Sequence, residues 1–319
     1  AVLGITATSM TPNELLSAIL RAPVDLLYNG GIGTYVKAST QSHAEVGDRA
    51  NDAIRVNGRD LRCKVVAEGG NLGFTQLGRI EYEQAGGRIY TDAIDNSAGV
   101  DCSDHEVNIK ILLASVVEQG ELTAKQRNTL LAGMTDEVAD LVLADNYYQT
   151  QSLAVSSVRG ERILDSQQSL IRSLEKIGRL NRAVEFLPND EEFAERRANK
   201  RGLTCPERAV LLAYSKMVLF DQLLTGKLID DPYLLPALID YFPSALRQKY
   251  EPAIQAHPLR REITATVVVN TMINRVGSGD RARCLVRQLI GPFVEWFASV
   301  AACPIPVDTT RRLVTSNRH

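Results

Sequence analysis

The chain has 319 residues, 45% of them hydrophobic and 23% charged, the balance of ordinary globular material with length for two domains of one core each. A formal net charge of −2 provides no electrostatic footprint for nucleic acid or an anionic membrane. The five cysteines (Cys63, Cys102, Cys205, Cys284, Cys303) are odd in number and widely spaced without a Cys-x-x-Cys pair. That pattern argues against a disulfide framework or a zinc site and fits a reducing cytoplasm, while no apolar run reaches the ~20 residues of a membrane helix.

Along the chain, Thr11-Pro12-Asn13-Glu14 is a capping box with Pro at the first helical position, and the helix it starts is expected to end before Pro23. Val24–Tyr28 reads as a short buried strand. A helix is predicted over Ala44–Val56, a strand over Cys63–Ala67, a helix over Thr75–Gln84 and a third strand over Arg88–Ile94. This β-α-β-α-β run implies a parallel sheet with right-handed crossovers.

From Asp104 onward the apolar residues recur at helical spacing. Helices are expected over Asp104–Glu118, Ala124–Gly133, Thr135–Gln149, Arg162–Glu185, Pro206–Thr225, Tyr233–Asp240, Arg260–Val276 and Asp280–Ala301. Thr204-Cys205-Pro206-Glu207 repeats the capping-box logic. Leu187–Gly202, dense in acids and bases, reads as a hinge or surface connection, and five prolines break Asp231–Leu259 into short pieces. The fold class is therefore α/β followed by all-α: a partial Rossmann-like parallel sheet in residues 1–119, then a helical C-terminal domain in 120–319.

Two segments have the form of strand ends opening onto a site: Val65-Val66-Ala67-Glu68-Gly69-Gly70-Asn71-Leu72-Gly73-Phe74-Thr75 and Ile94-Asp95-Asn96-Ser97-Ala98-Gly99-Val100-Asp101-Cys102-Ser103. Parallel strands deliver such loops to the carboxyl edge of a sheet, where ligands of open α/β folds bind. Glycines let backbone approach a ring or a phosphate, and Asn71 and Asn96 offer carboxamides that donate and accept. Either loop alone fits an ordinary tight turn equally well, and it is the pair that favours a site.

Gly31-Ile32-Gly33 lacks the third glycine of a dinucleotide fingerprint, since Tyr35-Val36 stands where it belongs. Asn29–Thr34 is therefore read as a sheet loop over a cofactor rather than a pyrophosphate turn. Asp101, Asp104, His105 and Glu106 resemble a metal cluster, but acids at a helix start are favoured by its dipole, and no metal is assigned to them. His43, His257 and His319 show no triad pattern, and Cys102 and Lys37 read as a small loop residue and a surface lysine.

The Glu68-Gly69-Gly70-Asn71 run resembles the Glu-Gly-Ala-Asn loop of amino-acid dehydrogenases, and Asn96-Ser97-Ala98-Gly99-Val100 with Ser103 is similar to their Asn-Ala-Gly-Gly-Val…Ser loop. More closely, the stretch from Asp25 to Asn108, with Asn29-Gly30-Gly31-Ile32-Gly33-Thr34-Tyr35-Val36-Lys37 and Asp101-Cys102-Ser103-Asp104-His105-Glu106-Val107-Asn108, resembles the large multidomain NAD-dependent glutamate dehydrogenases of bacteria. The resemblance implies oxidative deamination of L-glutamate to 2-oxoglutarate and ammonium, with NAD as cofactor, in a cytoplasmic homo-oligomer.

It places Asn96 near the nicotinamide and the substrate amine, Gly99 and Val100 along the pocket, and Ser103 on the substrate's side-chain carboxylate. Asn29, Gly30, Gly31, Glu68, Gly69, Gly70 and Asn71 fall in the cofactor loops. Ser97-Ala98 in place of Ala-Gly, and Asp101-Cys102 before Ser103, depart from the pattern and bear on pocket shape. No catalytic residue is assigned to this chain. The catalytic lysine and aspartate, the glycine-rich pyrophosphate turn and the acid that separates NAD from NADP are expected in sequence before Ala1, in the upstream remainder of the same polypeptide, so the isolated chain is expected to be inactive. Two other readings stay open: a noncatalytic helical assembly or regulatory module, and a dehydrogenase of an apolar amino acid, which would need an apolar pocket at Ser103.

Overall fold

The computed structural model describes residues 3–5 and 9–277. Helix α1 (Pro12–Leu20) starts at the expected capping box, where the Thr11 N–H donates to the Glu14 carboxylate (2.8 Å) and the Glu14 N–H to the Thr11 hydroxyl (3.3 Å). Strand β1 (Leu26–Asn29) pairs in parallel with β4 (Val65–Glu68), Leu26 facing Val65 and Asn29 facing Glu68. Between them lie β2 (Val36–Lys37) and β3 (Val56–Asn57), a second parallel pair.

The helix expected over Ala44–Val56 is not formed. Only α2 (His43–Val46) and a single 3-10 turn (Arg49–Asn51) are helical there; α2 ends at Gly47 in the left-handed region (φ 76°), which glycine adopts without a Cβ clash. The Asp48 carboxylate then accepts from the Thr34 N–H (2.8 Å) and the Asn51 carboxamide (2.6 Å), turning the chain so that Val56 meets Val36. The third expected strand shrinks to a bridge at Arg88, where Val66 N–H donates to the Arg88 carbonyl (2.9 Å) and Arg88 N–H to that of Lys64 (3.1 Å). Beyond it the chain coils into α4 (Asp92–Asp95), which buries Ile94. Helix α3 (Gln76–Gln84) lies as predicted, capped by Thr75, and Val36, Val56, Val66, Phe74, Tyr82 and Ile89 form the core under the sheet.

Helix α5 (Ser97–Glu118) begins one residue after Asn96 rather than at Asp104, so the second glycine segment is helical. It is followed by α6 (Ala124–Ala132), α7 (Thr135–Arg159) and α8 (Leu164–Lys176). Helix α7 overruns its expected end at Gln149, whereas α8 fills only the first half of Arg162–Glu185 before Gly178 turns left-handed. The charged stretch Leu187–Gly202 is not a loose connection. It holds α9 (Asp190–Ala198), whose Phe193 is fully buried, and whose Arg196 grips Glu207 through two contacts of 2.7 Å.

The remaining helices are α10 (Cys205–Thr225), α11 (Leu235–Tyr241), α12 (Ser244–Arg247), α13 (Glu251–Gln255) and α14 (Arg260–Val276). The helix expected at Asp280–Ala301 lies outside the described residues. No described helix is long and apolar enough to cross a membrane.

The sheet region and the helices share packing. Ile94 joins Leu153, Leu212, Leu219, Val268 and Met272 in one core. Beside it, Glu83 of α3 accepts the Cys205 N–H at the start of α10 (2.7 Å) and faces Arg208. Burial pushes the Glu83 carboxyl from 4.5 up to about 7, against the opposing pull of Arg208.

A raised folded-state pKa means that the native chain holds more protons than the unfolded chain between these values, so this group's contribution to stability falls as pH rises from about 4.5 to about 7. Glu83→Gln keeps an acceptor for Cys205 and removes the titration. Its melting temperature is expected to decline less over that range than that of the wild type, and parallel profiles in thermal melts would show that this junction is not a source of the pH dependence.

Candidate functional site

The parallel register of β1 and β4 sets their following loops side by side, with Gly69 N–H donating to the Asn29 carbonyl (2.9 Å). A Cβ at Gly70 would stand 2.9 Å from the Gly31 carbonyl oxygen, and one at Gly73 only 1.7 Å from the Asn29 carboxamide nitrogen. These glycines are therefore required first for the two loops to nest. The Asn29 nitrogen is buried there without a hydrogen-bond partner. Gly30 and Gly31 remain exposed, and Gly69 and Gly70 half-buried.

Glu68 points the other way. Its carboxylate is fully buried and takes the Arg79 guanidinium at 2.6 and 3.0 Å, together with the Phe74 N–H at 3.2 Å. Burial pushes this carboxyl up and the Arg79 contacts oppose it. Arg79 also reaches Asp92 (3.2 Å). Asp92 in turn accepts from the N–H of Leu72 (2.7 Å), which has a positive φ of 60°, and Asp95 accepts from that of Glu68 (2.9 Å). Burial raises Asp95 to about 6. Arg79, Asp92, Asp95 and Gly73 were not singled out from the sequence; the one local signal was that both acids flank the Ile94 strand end.

The second segment meets the first through Asp95, which accepts the Glu68 N–H, and through the Asn96 carboxamide nitrogen, which donates to the Asn71 carboxamide oxygen at 3.0 Å. Asn96 sits at the turn between α4 and α5. The next residue, Ser97, is held from α7 by Asn146 (2.9 Å) and Gln149 (2.6 Å). Gly99, Val100 and Ser103 occupy the first two turns of α5 and are exposed, Val100 at 76%. The Ser103 hydroxyl donates back to the Gly99 carbonyl (3.3 Å), so it lies inside the helix and caps nothing.

The structure thus brings together Asn29 with Gly69, Gly31 with Gly70, and Asn71 with Asn96, and it places Glu68 beneath them. Tyr28 on β1, and Ile32 and Leu72 on the loops, are large apolar residues left exposed, Ile32 at 91%. A surface of glycine backbone, paired carboxamides and bare apolar groups suits a flat amide-bearing ring.

Residues 1–156 match the family described as bacterial NAD-glutamate dehydrogenase, catalytic domain, and residues 200–285 match glutamate dehydrogenase, C-terminal. The chain belongs to the bacterial NAD-glutamate dehydrogenase family. It is 53% identical over 273 residues to the NAD-specific glutamate dehydrogenase of Pseudomonas aeruginosa, and 50% identical over 276 and 283 residues to those of Halomonas elongata and Mycobacterium tuberculosis. These alignments take in 86%, 86% and 87% of this chain but 17% of each relative. The matched catalytic-domain region of this chain takes in both glycine segments and the whole of α5.

Proposed function

We propose that this chain forms one wall of the active site of an NAD-dependent glutamate dehydrogenase, which converts L-glutamate to 2-oxoglutarate and ammonium within a larger, cytoplasmic, homo-oligomeric polypeptide. The observation that carries the reading is the Asn71–Asn96 contact, which joins the two dehydrogenase-like segments at the carboxyl ends of the parallel strands. We assign residues 1–119 to the C-terminal half of the dinucleotide-binding domain and 120–319 to the helical C-terminal domain, because every described strand precedes Gly69.

The residues present fit the nicotinamide end of NAD. Asn29 holds a buried donor without a partner, Gly30 and Gly31 are exposed, and the Tyr28 ring lies against Gly30 and Gly69. Bound NAD supplies the hydride acceptor. Asn71 fixes Asn96, whose carboxamide then orients the reacting amine, and Gly99 and Val100 shape the pocket wall. Glu68 serves from below, holding the loop rigid through Arg79. The test is reduction of NAD⁺ by L-glutamate with the full-length enzyme, and absence of that turnover would refute the reading.

Substrate choice is assigned to Ser103, whose hydroxyl exchanges its weak bond to Gly99 for the distal carboxylate of glutamate. Ser103→Ala should cost about 1.5 to 3 kcal/mol in kcat/KM for L-glutamate, the range for a hydrogen bond to a charged group in a closed site. L-norvaline, which lacks the carboxylate, should lose little. Equal losses on both substrates in steady-state kinetics would reduce Ser103 to a helix-interior residue.

A further inference from the structure

We propose that Asp101, His105 and Asp145 form a binding site for one divalent transition-metal ion that ties the first turns of α5 to α7. Asp101 and His105 are four residues apart and share one face of α5, and Asp145 comes from the facing α7. One ligand atom from each lies within 4.8 Å of the others. Three ligands at about 2.0–2.2 Å from one ion stand ~3.3–3.6 Å apart, so side-chain shifts of about an ångström would close the site.

The second observation is the imidazole itself. His105 is only 3% exposed, its Nδ1 has no hydrogen-bond partner, and its Nε2 stands 4.0 Å from Asp101 Oδ1, too far for a hydrogen bond. Asp101 Oδ2 is also buried and unpartnered. Buried polar atoms left in this state are costly, and a cation between Nε2 and Asp101 Oδ1 would ligate the two atoms that stand 4.0 Å apart.

The ring is held for the task. His105 stacks on Tyr241 at 4.3 Å, and the Tyr241 hydroxyl is fixed by donating to Asp104 (2.7 Å) and accepting from Asn108 (2.9 Å). Two carboxylates and one imidazole suit Zn²⁺ or Mn²⁺ better than a thiophilic ion. Lys216 of α10 lies within electrostatic reach of both carboxylates and is the natural competitor for the site. Asp101 stands two residues along α5 from both Gly99 and Ser103, so an ion there would stiffen that wall, yet its existence does not rest on the dehydrogenase reading.

The test uses the full-length enzyme stripped with a chelator and desalted, titrated with Zn²⁺ against a chromophoric chelator and with Co²⁺ as a visible-absorption probe. Wild type is expected to take up one equivalent more than His105→Gln or Asp145→Asn, with Co²⁺ ligand-field bands that these variants lose and an affinity that falls about tenfold or more. Lys216→Met removes the competing ammonium and should tighten binding several-fold. Wild type that binds no ion, or folded variants that bind Zn²⁺ and Co²⁺ as wild type does, would overturn the proposal. If both ligand variants misfold, Lys216→Met decides: unchanged or weakened affinity counts against the site.

Discussion

Asn96→Ala is expected to lower kcat/KM for L-glutamate in the full-length enzyme by about 2 to 4 kcal/mol, the cost of losing one preorganised donor at a reacting centre. Asn96 is suited to this because its own position is overdetermined. Its backbone closes α4, with its N–H donating to the Asp92 carbonyl (2.8 Å), and its side chain is anchored on Asn71 (3.0 Å). Asn96→Asp replaces the donor by an acceptor facing the Asn71 oxygen and should be worse than Asn96→Ser, which keeps a hydroxyl donor. Stopped-flow and steady-state rates with L-glutamate and NAD⁺ would decide. Wild-type kinetics in all three variants would return the segment to a simple turn.

The largest expected stability effect lies beneath the site. Arg79→Ala leaves Glu68 fully buried without its counter-charge, and removal of one partner of a buried pair costs about 3–5 kcal/mol. Asp92 loses the same partner, so the Leu72 turn that it holds should loosen as well. In the variant Glu68 keeps the burial that pushes its pKa up, with the Asp92 and Asp95 charges acting in the same direction, so the native state binds the extra proton and the deficit should grow as pH rises. Urea unfolding at pH 6 and pH 8 would measure both statements. A deficit under about 1 kcal/mol, as for an exposed ion pair, would show that the pair is not sealed from water.

Local rules read directly from the sequence account for much of the frame. The boxes Thr11-Pro12-Asn13-Glu14 and Thr204-Cys205-Pro206-Glu207 start helices where they stand, because a cap needs only residues three apart in the chain. Periodicity likewise located α3, α10 and α14, and the apolar runs before Asn29 and Gly69 located the two parallel strands. The glycine loop that follows β4 at the sheet edge was also legible, whereas Asn96 reaches it from the turn between α4 and α5 and not from a strand end.

Tertiary contacts decided the rest. Residues 44–56 have helical spacing, but Gly47 and the Asp48 contacts to Thr34 and Asn51 turn them into a crossover that feeds β3 to β2. Ser97–Ser103 carries glycine and short polar residues, poor helix formers, and is helical because Asn146 and Gln149 of α7 secure Ser97 and the turn beyond it packs on α7. The Glu68–Arg79 pair and the approach of Asp145 to His105 are equally invisible in one dimension. Burial turns such charges from surface ornaments into constraints, and which charges are buried is a property of the packed chain.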